Sequence, residues 1–241
     1  MGMTQPISAP ASSVSPALWR LPRRGSKIYD LLAAAPLIVW FAIVVRGSLQ
    51  ALRDLAGNLL LHPNISLCLL LLAKLGLLVF ASTAICMLLR RRPAQSGASG
   101  LLPRVAGILG TYLSVGILLL PPAHLSPLWL GISAFLIFGG VAFSCYSILW
   151  LGRSFSLMAE ARQLVTGGPY SIIRHPLYFG EEIAIIGTAI QFFSPLVVWV
   201  LAMQIACQFY RMHCEEEILA SSFPEYLPYK SRTARLIPGL Y

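Results

Sequence analysis

The sequence predicts an all-α, polytopic membrane bundle of about six transmembrane helices. Three observations carry that prediction. Only 11% of the 241 residues are charged and 57% are hydrophobic, whereas a soluble domain carries about 25% charged residues. Apolar runs near the roughly 20 residues that a span needs recur along the chain. The Lys and Arg residues fall on alternate connections between those runs. Mean hydropathy is +0.74.

Residues 1–27 are rich in Ser, Pro and Ala and end in Arg20, Arg23, Arg24 and Lys27. They read as a flexible, basic cytoplasmic tail. The following run, 28–46, lacks a convincing cleavage site and reads as a retained first span rather than a signal peptide. Residues 47–64 contain Arg53, Asp54, Asn58, His62, Pro63 and Asn64, which predicts a loop or a short interfacial helix. The remaining spans are expected at 65–89, 105–121, 128–151, 177–194 and 196–212. Residues 90–104 form a polar, basic connection and 121–127 a Pro-rich turn. Only Ser194-Pro195 separates the last two spans, which predicts a tight helical hairpin.

Charge placement orients the bundle. With the N-terminus inside, the inner segments hold fifteen of the 18 Lys and Arg residues, the outer ones hold Arg46 and Arg53, and Lys74 lies within a span. The positive-inside rule then puts both termini on the cytoplasmic face of a multi-pass protein. The net charge of +9 reads as contact with anionic membrane lipids rather than with nucleic acid. The organisation expected is a tail at 1–27, four helices in 28–151, and a catalytic region with two helices and a tail in 152–241. Cys68, Cys86, Cys145, Cys207 and Cys214 lie in or near apolar runs without CxxC spacing. They read as small hydrophobes, with neither a disulfide framework nor a metal site.

One polar stretch interrupts this apolar chain. Gly167-Gly168-Pro169 signals a turn, and Pro176 suits the first turn of a helix. Arg174 and His175 then stand at the helix entrance, beside free N–H groups and a positive dipole end. That place suits an anionic group, although an ordinary basic loop explains it as well. At the end of the last span, Arg211 and Glu215 are four apart and share a helix face. This reads either as a solvated helix end or, because the hairpin returns it to Arg174-His175, as the second half of a site. The tail from Phe223 to Pro238 mixes aromatic and basic residues. It reads either as an interfacial segment or as a lid. Lys74, Glu181 and Glu182 lie at or inside spans, where ionisable residues by default suggest function. Pairing or snorkelling for Lys74, and interfacial solvation for the two glutamates, are the bland alternatives. No GxGxxG, Walker A, HExxH or GxSxG motif is present, which excludes Rossmann-type methyltransferases.

Two blocks together resemble the isoprenylcysteine carboxyl methyltransferase family. The first is Leu164-Val165-Thr166-x-Gly168-Pro169-Tyr170 followed by Arg174-His175-Pro176-x-Tyr178-x-Gly180. The second is Arg211-x-x-x-Glu215-Glu216-x-x-Leu219, then Phe223, Tyr226, Tyr229 and Arg235-Leu236-Ile237-Pro238. The resemblance covers about 150–241. It implies an integral-membrane enzyme that uses S-adenosylmethionine, with Leu164, Val165, Tyr170, His175, Pro176, Leu177, Tyr178 and Glu215 at the cofactor. Arg211 would face the methyl acceptor. In the chemistry of that cofactor, Glu215 suits the ammonium, Arg174 or helix N-terminal amides the carboxylate, and tyrosine rings the sulfonium. Arg162 stands where many family members carry His. The expected acceptor is lipophilic and enters from the bilayer, with a prenylated cysteine carboxylate favoured by the family. Glu181 or Glu182 would serve as base for an amine or thiol. The run His175-Pro176-x-Tyr178-Phe179-Gly180-Glu181 also resembles NADPH-dependent sterol and steroid reductases. A non-catalytic membrane scaffold is the third reading.

Overall fold

A computed structural model describes residues 27–97, 101–156 and 160–239. The tail expected at 1–26 lies outside the described residues. Seven helices dominate: α1 (Lys27–Leu61), α2 (Ile65–Arg90), α3 (Leu102–Ile117), α4 (Pro127–Leu151), α5 (Pro176–Gln191), α6 (Pro195–Ser222) and α7 (Tyr226–Arg232). The all-α bundle predicted from composition is what forms. Large apolar side chains such as Val39, Phe135 and Trp199 point outward, as expected where the surrounding solvent is lipid.

The span count changes. Four helices are long and apolar enough to cross a membrane: α1, α2, α4 with its short extension, and α6. The helices α3 and α5 have 16 residues each. At 1.5 Å per residue they reach about 24 Å, short of the roughly 30 Å hydrocarbon core. The segment 47–61 is not a loop. It continues α1, because nothing between Arg46 and Leu61 breaks a helix. The turn comes only at His62-Pro63, and Asn64 then caps α2 by accepting from the Ser66 amide at 2.8 Å.

A small two-stranded sheet was not anticipated. Strands β1 (Ser96–Gly97) and β2 (Glu160–Ala161) pair antiparallel, tying the α2–α3 connection to the segment that follows α4. The C-terminal segment makes a second short pairing, with Arg174 and His175 amides donating to the Ala234 and Arg235 carbonyls. The tail is therefore a wall of the connector. Of its two readings, folding back over the protein is the one observed.

Packing explains where space is left. The α4–α5 seam is built from Gly140, Gly180 and Gly187. A Cβ at Gly140 would meet the Gly180 carbonyl at 2.6 Å, and one at Gly187 would meet the Ser133 carbonyl at 2.9 Å. Small residues let membrane helices approach this closely. With α5 committed to α4, and α6 packed mainly on α3, the two legs of the hairpin are bridged by polar side chains instead of closely packed. The basic segments gather at one end of the bundle. Lys27 donates to the Leu89 and Arg91 carbonyls, Arg153 to the Arg90 carbonyl, and the two-stranded sheet touches Ser222 through Ser96.

Candidate functional site

The site grows from two helix faces. Along α6, Gln204, Gln208, Arg211 and Glu215 recur at spacings of four, three and four, so they share one face. Along α5, Tyr178, Glu181 and Glu182 answer them. Gln204 donates to Glu182 at 2.8 Å and Gln208 to Glu181 at 3.3 Å, while the Gln208 oxygen accepts from Arg211 at 2.6 Å. The Arg211 guanidinium also lies over the Tyr178 ring, 4.8 Å from its centroid, in reach of a cation–π contact. The Tyr178 hydroxyl donates to Glu215. A continuous polar seam thus runs from the middle of the hairpin to its basic end.

Two cavities flank this seam. A polar pocket of ≈ 100 Å³ lies at the basic end. Leu164, Val165, Tyr170, Arg174, His175, Leu177, Tyr178 and Glu215 all line it, so eight of the nine expected cofactor residues come together. Pro176 does not line it. It is buried at the first position of α5, where it sets the helix start. A larger apolar chamber of ≈ 270 Å³ lies deeper, walled by residues such as Trp40, Phe41, Phe80, Val141 and Ile185. Arg211 and Glu181 are its charged wall residues. Ser156, Leu177 and Tyr178 line both spaces and form the partition between them. Glu182 lines neither, and its second oxygen has no hydrogen-bond partner among the described residues. Both glutamates are partly buried and hydrogen-bonded to glutamines of α6.

Neighbouring carboxylates on α6 are used differently. Glu216 is 5% exposed and accepts from Arg174 at 2.9 Å and Lys230 at 2.9 Å, with Arg235 at 3.2 Å and His175 at 3.3 Å. It latches the tail and the connector onto α6. Arg174 also donates to the carbonyls of Lys230 and Thr233. Its guanidinium is therefore engaged in that latch while the residue also lines the pocket. Glu215 is 21% exposed and keeps an open side toward the pocket.

Two buried donors in the pocket lining have no partner among the described residues: Arg162 Nε and Tyr226 Oη. Buried polar atoms left in this way are costly unless a ligand or water completes them. Burial pushes the Tyr229 hydroxyl up to about 12 and those of Tyr170 and Tyr226 higher still. The pocket therefore presents neutral aromatic rings beside two carboxylates, Glu160, which is paired with Arg162, and Glu215. Such a lining fits a cationic, partly aromatic ligand that also carries an acceptor group, as S-adenosylmethionine does.

Several residues escaped sequence reasoning. Asp30 is buried and takes Arg91 at 2.6 Å and Arg162 at 2.7 Å, and Arg162 also meets Glu160 at 2.6 Å. This cluster fastens the start of α1 and the end of α2 to the segment leading into Leu164. Asp30 stands alone as the acidic residue of the first apolar run, and that was the available signal. Gln204 and Gln208 were legible as polar residues at helical spacing with Arg211 and Glu215 inside an apolar span.

Comparison with known proteins places this region. Residues 128–226 match the family model described as phospholipid methyltransferase. Over 102 residues the chain is 36% identical to the cobalt-zinc-cadmium resistance protein CzcN of Cupriavidus metallidurans. Over 102 residues it is 32% identical to the nickel-cobalt-cadmium resistance protein NccN of Alcaligenes xylosoxydans xylosoxydans. Each match covers 42% of this chain and 47% of the relative, so it spans about half the length of these curated proteins. Among the described residues, no three His, Cys, Asp or Glu side chains are grouped to hold a metal ion. The resemblance carried by the two motif blocks is borne out at the level of the membrane methyltransferases: the stretch 128–226, which holds nearly all of α4 together with α5, α6, Glu215 and Glu216, is similar to the phospholipid methyltransferase family.

Proposed function

We propose that this chain is a membrane-embedded methyltransferase that uses S-adenosylmethionine and acts on a lipophilic acceptor. One observation carries the reading. A polar pocket with an open carboxylate and an apolar chamber with an arginine share a single partition, Tyr178 and its neighbours. A donor and an acceptor of opposite polarity can be held on its two sides without mixing with bulk water.

When bound, the cofactor supplies an electrophilic methyl group on a cationic sulfur. Glu215 would take its ammonium, a charge-assisted contact. Arg162 Nε and Tyr226 Oη are the donors left for its carboxylate or hydroxyls, which gives Arg162 a role at the position where relatives of the resembling family often have His. The rings of Tyr170, Tyr178 and Tyr229 would flank the cation. Arg211 would orient the acceptor from the far side, so catalysis is mainly positioning. The basic end faces the cytoplasm, with both termini on that side, and the acceptor enters from the bilayer. A prenylated cysteine carboxylate is the acceptor that the resembling family suggests.

The test is thermal stabilisation of the purified protein in detergent. S-adenosylhomocysteine should raise the unfolding temperature and NADPH should not. The reverse result favours the reductase reading, and stabilisation by neither favours a scaffold. Incubating membranes with methyl-labelled S-adenosylmethionine should then place label in the lipid-extractable fraction.

A further inference from the structure

We infer that the apolar chamber selects an acceptor ending in a neutral protic nucleophile, an O–H or S–H group, with Glu181 as its proton acceptor. This deepens the methyltransferase reading above and rests on it. The chamber carries one charge of each sign on its wall, Arg211 and Glu181. Gln208 joins them, donating to Glu181 at 3.3 Å and accepting from Arg211 at 2.6 Å. The two charges therefore sit around the same small polar patch in an otherwise apolar space.

That arrangement discriminates between head groups. A carboxylate docked on Arg211 would bring its charge beside Glu181, and like charges in a poorly hydrated space repel strongly. An ammonium docked on Glu181 would meet Arg211 in the same way. A neutral hydroxyl or thiol meets neither penalty. It accepts from Arg211 and donates to Glu181, which satisfies both groups. Ser144, 2% exposed, also lines the chamber, and its hydroxyl has no partner among the described residues. It is a further contact for a neutral head.

The step balances without another reactant. The acceptor oxygen or sulfur forms a bond to the methyl carbon, the bond from that carbon to the sulfonium sulfur breaks, and the sulfur keeps the electron pair. The acceptor proton passes to the Glu181 carboxylate. A carboxylate acceptor would need no such base, so Glu181 would have nothing to do in its methylation.

The test uses the full-length protein in detergent with four probes that share a ten-carbon chain: decanol, decanethiol, decanoate and decylamine. Binding is read by displacement of a fluorescent alkyl probe in the absence of cofactor, and methylated product by mass spectrometry. Decanol or decanethiol should bind at least about ten-fold more tightly than the two charged probes and give the ether or thioether. Glu181→Gln should keep S-adenosylhomocysteine stabilisation and neutral-probe binding but lose methyl transfer by about 100-fold or more, the usual span of a general base. Glu181→Asp, which keeps the charge, should retain part of the transfer and covers the case in which the glutamine variant does not fold. Preferential binding or methylation of decanoate or decylamine, binding of none of the four, or full transfer by folded Glu181→Gln would each overturn the inference. If S-adenosylhomocysteine fails to stabilise the wild-type protein, the methyltransferase reading itself has failed, which is a distinguishable result.

Discussion

The polar pocket and the apolar chamber share Ser156, Leu177 and Tyr178, yet they are built in opposite ways. The pocket is assembled mostly from connector and tail, held by ion pairs at the basic end. Glu216 gathers Arg174, Lys230, Arg235 and the His175 ring, and Asp30 gathers two arginines. The chamber is assembled from helix faces that pass one another at glycine and alkyl side chains. The difference shows which charges are structural and which are available. Carboxylates surrounded by cations, Glu216 and Asp30, close the scaffold. Glu215 and Glu181, each at a cavity wall, are left for ligands.

The sharpest way to break this comparison is to remove one charge from each space. Arg211→Met should lower methyl transfer by about 100-fold or more, since a misplaced reactant alone costs that much. Its S-adenosylhomocysteine stabilisation should persist. Glu215→Gln should instead weaken S-adenosylhomocysteine binding by about 10- to 100-fold, the worth of one hydrogen bond to a charged group. Calorimetric titration of both variants checks the split. Equal loss of cofactor binding in the two would show that the spaces are not separate.

A second variant tests the structural carboxylates. Asp30→Ala leaves Arg91 and Arg162 buried without their shared partner. Removing one member of a buried pair costs about 3–5 kcal/mol, so a large drop in the thermal midpoint is expected. Asp30 lines neither cavity, although its partner Arg162 lines the polar pocket. An unchanged midpoint would mean that the cluster does not fasten α1 to the connector.

Gly180→Ala sharpens the comparison by moving a wall. The new methyl would meet the Ser144 hydroxyl and the Gly140 carbonyl, and overpacking costs about 1–3 kcal/mol. Gly180 lies between Tyr178 and Glu181, so neutral-probe binding should fall together with the midpoint. A comparable effect is expected at Gly168, whose φ of 59° lies in the left-handed region. Gly168→Ala should cost about 1–2 kcal/mol for that conformation, with some addition because its Cβ would overlap the Trp150 ring. It acts on the polar pocket alone, through the turn that carries Tyr170, so S-adenosylhomocysteine stabilisation should fall and chamber binding should not.

Much of the site was legible because its parts are local. Leu164, Val165, Tyr170, His175, Leu177 and Tyr178 lie within 15 residues, and a turn signal followed by a proline-started helix predicts their proximity. Arg211 and Glu215 follow from helical spacing and from the short hairpin. Their placement on different sides came from the family resemblance and not from spacing, because it depends on which way α6 is rotated against α3. The ion pairing of Arg174 was not legible either. Its position was right, but its partner, Glu216, lies 42 residues away and no periodicity links the two.

Composition, apolar run length and the distribution of Lys and Arg were enough to establish a membrane-spanning helical bundle with one basic end. Those properties are sums over residues and need no partners. What the tertiary structure alone decided is pairing. The glycine seam draws α5 onto α4 and holds it off α6, which opens the chamber. The Asp30 and Glu216 clusters bring four separate segments to the pocket rim. Long-range contacts of that kind depend on how helices dock, and a buried charge takes its role from the partner that docking supplies.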